Sequence, residues 1–400
     1  MPLKRRYKSR KLLFSLLILL SACISAKSSD SPPSALLVDI SPREIVNSTP
    51  SPQTEFGLSF PPVGLEVLPG ILPELQQRPV DVTVSALQDL SLKRVRFAEN
   101  WRLRQKKDAF HWQPLRERFN ILHTAENPAD VFLTVQTDGP PAACGQRNKR
   151  SCVYTNLEAF DTYINQLLGQ DLPGLRYLQF GNEMLSPDFF VGTPEDYLKA
   201  QLRFARIARE QRPDVPVVLG GFSAGTLRRY AACVGKAPIS FYHRNTLISP
   251  EEHAAFCQKT WVQRENLGVQ TLLKKADYDV VDLHMYDDPE SWSALLESIQ
   301  ATVRTLQRPG HGEIRYVVSE FGGPHLPREP DDENYQAAQL EKYLIALKAL
   351  PVEGAYFFKL VPDGLRESPH YRSSLYKDYQ EGLPLVKKPA YDVFKNRGKL

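Results

Sequence analysis

Eight short apolar segments recur along this chain, separated by stretches whose apolar residues are spaced as on a helix. That alternation restricts the fold more than any other feature. The segments are Glu55–Phe60, Arg94–Ala98, Val131–Thr137, Arg176–Gly181, Val215–Gly220, Tyr278–Met285, Ile314–Ser319 and Gly354–Leu360. Most are apolar at consecutive positions, so both faces need cover, which suits the strands of a buried parallel sheet. Between them, residues 157–168 place Leu157, Phe160, Ile164, Leu167 and Leu168 on one helical face. Residues 193–211 open with Thr193-Pro194-Glu195-Asp196, an N-cap followed by Pro at the first helical position. Trp292, Leu295, Leu296, Ile299, Val303 and Leu306 form a third stripe, and Tyr343, Leu344, Leu347 and Leu350 a fourth. Such stripes face a core. Eight strand–helix units over about 350 residues predict a single (β/α)8 TIM barrel across residues 54–400. An open doubly wound sheet is the alternative.

The start of the chain reads differently. Lys4, Arg5, Arg6, Lys8, Arg10 and Lys11 precede the apolar run Leu12–Leu20, with small residues at Ser21 and Ala22. This is the layout of an export signal over residues 1–22, and its apolar run is too short to span a bilayer. Leu20-Ser21-Ala22-Cys23 resembles the lipobox of bacterial lipoproteins. The resemblance implies that Cys23 becomes the lipidated first residue of the mature chain, anchored in the bacterial envelope. Residues 23–53, rich in Ser and Pro, suit an extended tether. The formal net charge of +4 becomes −2 once the six basic residues of the leader are removed, so the basic balance gives no argument for a nucleic-acid partner.

Export sets the reading of the four remaining cysteines, because an oxidising compartment favours disulfides. Four cysteines permit three pairings. Cys144–Cys152 and Cys233–Cys257 are favoured since each closes a local loop, the second within the long connection 221–262, where a stapled insertion is expected. No pair of cysteines or of histidines has the short spacing of a zinc motif, and no metal is expected.

Two of the strand segments lead into glutamate. One runs Arg176-Tyr177-Leu178-Gln179-Phe180-Gly181-Asn182-Glu183 and the other Arg315-Tyr316-Val317-Val318-Ser319-Glu320-Phe321-Gly322. By order these are strands four and seven, and a barrel of this kind gathers its chemistry where strands end. A carboxylate closing an apolar run is costly unless something solvates or uses it. Asn182-Glu183 and Glu320 at these places make the chain resemble the clan-A glycoside hydrolases, retaining barrel glycosidases that include cellulase-like and xylosidase-like families. Val95-Arg96-Phe97 stands where those families place an Arg on strand two, and His284-Met285-Tyr286 resembles their His-x-Tyr on strand six. Lys388-Pro389-Ala390-Tyr391 resembles a frequent ending. The chain departs from the pattern at strand eight, where Tyr356-Phe357-Phe358-Lys359 lacks the usual Trp, and at strand three, where Gln136-Thr137-Asp138 lacks the His of some families.

The resemblance implies cleavage of O-glycosidic, β-type bonds in an oligo- or polysaccharide by double displacement. Glu320 would be the nucleophile and Glu183 the acid/base, two carboxyl groups that must lie close enough for one to remain ionised while the other holds a proton. Arg96 and Tyr286 would support Glu320, His284 would stand nearby, and Asn182 would bind the sugar 2-hydroxyl. Trp101, Phe222, Trp261 and Phe357 are candidates for stacking on sugar faces or for plain packing. A monomer with no organic cofactor is expected, since neither a phosphate loop nor a dinucleotide fingerprint occurs and the histidines form no H-x-H or H-E-x-x-H.

A competing motif follows the fifth strand segment. Gly221-Phe222-Ser223-Ala224-Gly225 fits the nucleophile elbow of serine esterases, with His325 or His370 available to complete a triad. Against it, no HGGG-like oxyanion segment occurs, and the esterase reading leaves Asn182-Glu183 and Glu320 without a purpose. A carbohydrate-binding lipoprotein that retains the barrel without catalysis is the third reading.

Overall fold

The computed structural model describes residues 54–59 and 79–400, apart from the short segments 108, 149, 244–245, 287, 307–312, 324–329, 331, 363–369 and 378–383. The leader, Cys23, the 23–53 tether, Phe60 and His325 lie outside the described residues. Eight parallel strands close into a barrel in chain order: β1 (Glu55–Ser59), β2 (Arg94–Glu99), β3 (Asp130–Val135), β4 (Leu175–Asn182), β5 (Val217–Phe222), β6 (Val280–Tyr286), β7 (Arg315–Gly322) and β8 (Gly354–Phe358), with β8 pairing back onto β1. That closure excludes the alternative of an open sheet. All eight strands read from the sequence exist, with ends that differ by a few residues. The largest difference is at β7, which runs on past Ser319 through Glu320 to Gly322; β5 begins at Val217 and continues through Gly221 to Phe222.

Helices α1 (Pro79–Asp89), α2 (Gln113–Thr124), α3 (Leu157–Leu168), α4 (Pro194–Gln211), α5 (Ala224–Cys233), α6 (Pro250–Cys257), α7 (Thr260–Lys275), α8 (Trp292–Thr305), α9 (Glu333–Ala349) and α10 (Pro389–Lys395) connect and cover the strands. The α4 start forms a capping box: the Thr193 side chain accepts from the Asp196 N–H, and the Asp196 carboxylate accepts from the Thr193 N–H. Losing such a cap typically costs about 1 kcal/mol. Between β5 and β6, three helices and a short hairpin replace the usual single helix. There Cys233, at the end of α5, is bonded to Cys257, at the end of α6. Cys144–Cys152 closes a second hairpin, Cys144–Arg147 against Cys152–Tyr154, in the loop after β3.

Strand alternation sorts the barrel interior into layers. Phe132, Tyr177, Val218, Val280, Val317 and Tyr356 fill one apolar layer. Two residues further along their strands, the inward positions turn polar: Thr134, Gln179, Asp282 and Ser319, joined by Arg96 and Ser59. These groups bond to one another, which is what makes a buried polar layer tolerable. The layer is the floor of the site above it. Two register breaks shape that site. Along β6 and β7, Leu283 pairs with Val318 and His284 with Glu320, so β7 carries one extra residue. That bulge lets both Ser319 and Glu320 reach groups in the barrel. On β5, the extra residue falls between Leu219 and Phe222, at Gly220-Gly221.

Candidate active site

Glu320 lies near the end of β7 with its side chain largely covered. Its Oε1 accepts a hydrogen bond from the Arg96 guanidinium at 2.7 Å, and its Oε2 accepts from the Tyr286 hydroxyl at 2.8 Å. The Arg96–Glu320 pair is thus charge-assisted and nearly dry. Burial and the Glu320 charge push the Tyr286 phenol well above its ordinary range, so it remains a donor.

Arg96 is held from every side. Its Nε donates to Thr134 Oγ1 at 3.0 Å; one terminal nitrogen donates to Ser59 Oγ as well as Glu320, and the other to Gln179 Oε1 and Asn182 Oδ1. Five partners on four strands leave the guanidinium little freedom. Sequence reasoning identified Arg96 but missed Ser59, Thr134 and Gln179. Their signal was a polar residue at an inward position of a strand otherwise apolar on both faces.

Glu183 immediately follows β4, at φ +46°. Left-handed backbone at a glutamate is uncommon and concentrates where a side chain must be aimed. Gly181, at φ +79°, begins the turn; a Cβ there would lie 2.9 Å from the Tyr197 ring. The Glu183 Oε1 is 2.8 Å from His284 Nδ1, and the same nitrogen is 3.4 Å from Glu320 Oε2. One oxygen of each glutamate and one nitrogen of His284 lie mutually within 4.8 Å. The two carboxylates therefore face one another at the C-terminal end of the barrel, with Asn182 beside them through Arg96.

His284 itself is fully buried. Burial alone would lower its pKa, but the Glu320 charge and the bonds to Asp282 and Glu183 prevail and push it up to about 10. β5 makes room for it: a Cβ on Gly221 would lie 2.3 Å from His284 Nε2 and 2.8 Å from Asp282 Oδ2. That close approach accounts for a glycine at the start of the Gly221–Gly225 motif. Ser223 serves the helix that follows, since its Oγ accepts from the Thr226 N–H as the N-cap of α5, in extended backbone (φ −61°, ψ 152°). The Ser223 hydroxyl also meets Thr226 Oγ1 at 3.0 Å, and Thr226 in turn donates to Glu265. The His370 ring lies 4.5 Å from that of Tyr286 and 5.4 Å from that of Phe358.

Several other candidates resolve into packing. Trp101 is buried with its ring stacked on Tyr163 at 4.6 Å, and Phe357 packs against Phe321 and Phe394. Phe222 belongs to the core. Trp261 is exposed on the insertion, where the His243 ring and the Arg229 guanidinium lie against it. Asp138 accepts from the Trp101 and Arg102 backbone and pairs with the Arg102 side chain, fixing the helical turn after β2. Phe358, the last residue of β8, meets the His370 ring edge-on.

No protein-family model and no curated protein matches the sequence. Solved structures do. A GH5_18 protein from Streptomyces cattleya in complex with GlcNAc aligns at TM-score 0.58 and 14% identity, over 87% of this chain and 80% of that one. A GH39 β-xylosidase from Caulobacter crescentus aligns at 0.54 and 14%, over 90% and 73%. An exo-β-1,4-mannosidase from Opitutaceae bacterium strain TAV5 aligns at 0.56 and 15%, over 88% of this chain but only 62% of its own length. These neighbours are barrel glycoside hydrolases, and what the chain shares with them at such identities is the (β/α)8 fold.

Proposed function

We propose that the protein is a retaining glycoside hydrolase that cleaves a β-linked oligo- or polysaccharide. The observation that carries this reading is the pair of carboxylates at the barrel mouth, with oxygens of Glu183 and Glu320 within 4.8 Å. Retention needs carboxyl groups about 5–5.5 Å apart, whereas inversion leaves room for a water at about 6.5–9.5 Å. The fold and the sugar-cleaving neighbours support the same chemistry.

In this reading Glu320, its charge matched by Arg96, attacks C1 of the sugar while the C1–O bond to the leaving group breaks. Glu183 gives its proton to the departing oxygen. The glycosyl ester on Glu320 is then opened by water: Glu183 takes the water's proton, oxygen bonds to C1, and Glu320 leaves as carboxylate. Tyr286 and Arg96 hold Glu320 in line throughout. Asn182 offers its amide nitrogen to the 2-hydroxyl, its oxygen being engaged by Arg96. Phe358 and His370 border the sugar position. The enzyme acts from the bacterial envelope as a monomer, anchored by lipid on Cys23 through the 23–53 tether.

The test is a screen of aryl β-glycosides and polysaccharides with the product anomer followed by NMR. Hydrolysis with the β-anomer formed first supports the reading, and initial α-anomer from a β-substrate overturns retention. Ser223→Ala separates it from an esterase: full glycosidase activity is expected, with a stability loss of about 1 kcal/mol from the missing cap. Ester hydrolysis abolished by that substitution would favour the serine mechanism instead.

A further inference from the structure

Beneath His284 lies a third carboxylate, which the two-glutamate mechanism does not use. Asp282 stands on β6 two residues before His284, wholly buried in the polar layer. Its Oδ1 accepts from the Ser319 N–H at 2.9 Å; its Oδ2 accepts from the Ser319 hydroxyl at 2.6 Å and from Gln179 Nε2 at 2.5 Å. The same Oδ2 is 3.5 Å from His284 Nε2, and Ser319 Oγ is 3.2 Å from that nitrogen.

A donor inventory settles what this arrangement asks of the ring. A hydroxyl has one proton, and Ser319 spends it on Asp282. Toward His284 Nε2 it can only accept, as can the Asp282 carboxylate, so Nε2 carries hydrogen. Nδ1 faces Glu183 at 2.8 Å and Glu320 at 3.4 Å, again oxygens of carboxyl groups. When Glu183 is ionised, Nδ1 too must carry hydrogen, and the ring is an imidazolium. The charged groups around it are Asp282 from β6, Glu183 from the end of β4 and Glu320 from β7. Arg96 on β2 acts on Asp282 across the barrel, and from β5 the uncharged Gly221 lies against the ring.

We propose that Asp282, with Ser319, is a positioning residue that holds His284 as a cation with Nε2–H fixed downward and Nδ1–H aimed at Glu183, so that His284 stabilises the carboxylate Glu183 becomes on giving up its proton. This rests on the glycosidase reading for its consequence and on geometry alone for the state of the ring. Burial would raise the Asp282 pKa, but the His284 bond and charge, with Arg96 and Ser319, hold it below its usual value, so the lower charge is in place. The cation matters at the moment Glu183 is deprotonated. Its loss should therefore slow substrates whose leaving group needs the proton and spare those that do not.

Two readouts test this. The first is NMR of the imidazole nitrogens in the full chain, with the His284 resonance assigned by its disappearance in His284→Gln. Wild-type His284 should remain protonated at pH 8, and in Asp282→Asn its midpoint should fall by at least about one pH unit. The second is kcat/KM on matched aryl and alkyl β-glycosides: Asp282→Asn should lose about 10-fold or more on the alkyl substrate and under about threefold on the dinitrophenyl one. Ser319→Ala, which keeps the carboxylate, should shift both readouts in the same direction by less, and serves if Asp282→Asn does not fold. A His284 midpoint unchanged in both variants overturns the proposal, as does an equal loss on both substrates. If no glycoside is hydrolysed by the wild type, the glycosidase reading fails, while the NMR midpoints still decide what Asp282 does to His284.

Discussion

Replacing Glu320 by Gln is expected to lower kcat on an aryl β-glycoside by about 10⁴-fold or more, because a neutral amide cannot attack C1. The substitution keeps the shape of the side chain, and the variant should fold. Arg96 loses its charged partner, and stranding a buried cation can cost about 3–5 kcal/mol. Here Thr134, Ser59, Gln179 and Asn182 still accept from the guanidinium, which argues for a cost at or below the lower end of that range. Thermal unfolding by circular dichroism separates the two effects: a melting transition close to that of the wild type, with activity gone, assigns the loss to chemistry. Residual activity within a factor of ten of the wild type would remove Glu320 as nucleophile.

Glu183→Ala should behave differently. With an alkyl or weakly activated leaving group, kcat/KM should fall by about 10²–10⁴-fold, the ordinary worth of general acid catalysis. With a dinitrophenyl leaving group the bond breaks without help, so the first step should be nearly normal. The second step then lacks its base, and the glycosyl-enzyme should accumulate as a burst followed by slow turnover. Azide, a small anion that needs no deprotonation, should enter the space left by the carboxylate and restore turnover, yielding a β-glycosyl azide. A loss equal across leaving groups, with no azide rescue, would take the acid/base role from Glu183. The left-handed backbone at this position adds a second expectation: Ala there bears the same strain as Glu, so stability should change little.

The strand order and both glutamates were legible because each rested on a strong physical pattern. A strand covered on both faces reads as a continuous apolar run, as in Val131–Leu133 of β3, Val217–Leu219 of β5 and Ala355–Phe358 of β8. The Thr193-Pro194-Glu195-Asp196 start of α4 was legible for the same kind of reason: it is local chemistry, complete within four residues. The support of the site was not legible. Ser59, Thr134 and Gln179 are 37, 38 and 83 positions from Arg96, and only barrel closure brings them onto its guanidinium. The bulge at Ser319-Glu320, which lets consecutive residues serve His284 and Arg96, has no sequence signature of its own. Gly221 shows the converse failure. Its motif pointed to Ser223, yet the glycine is there because His284 and Asp282 occupy the space of its missing side chain. Trp101 misled in a third way: an aromatic ring after a barrel strand suits a sugar, but stacking on Tyr163 and Tyr154 holds this one in the core.

The most direct test of the account is covalent trapping. A 2-deoxy-2-fluoro aryl β-glycoside of a sugar hydrolysed in the screen should form the glycosyl-enzyme and then stall, since fluorine destabilises the charged transition state of the second step. Intact mass should rise by one fluoroglycosyl unit, and peptide mapping should place it on Glu320, with no adduct in Glu320→Gln. An adduct on any other residue, or an unchanged mass while the parent glycoside is turned over, would contradict the proposal that Glu320 attacks the sugar.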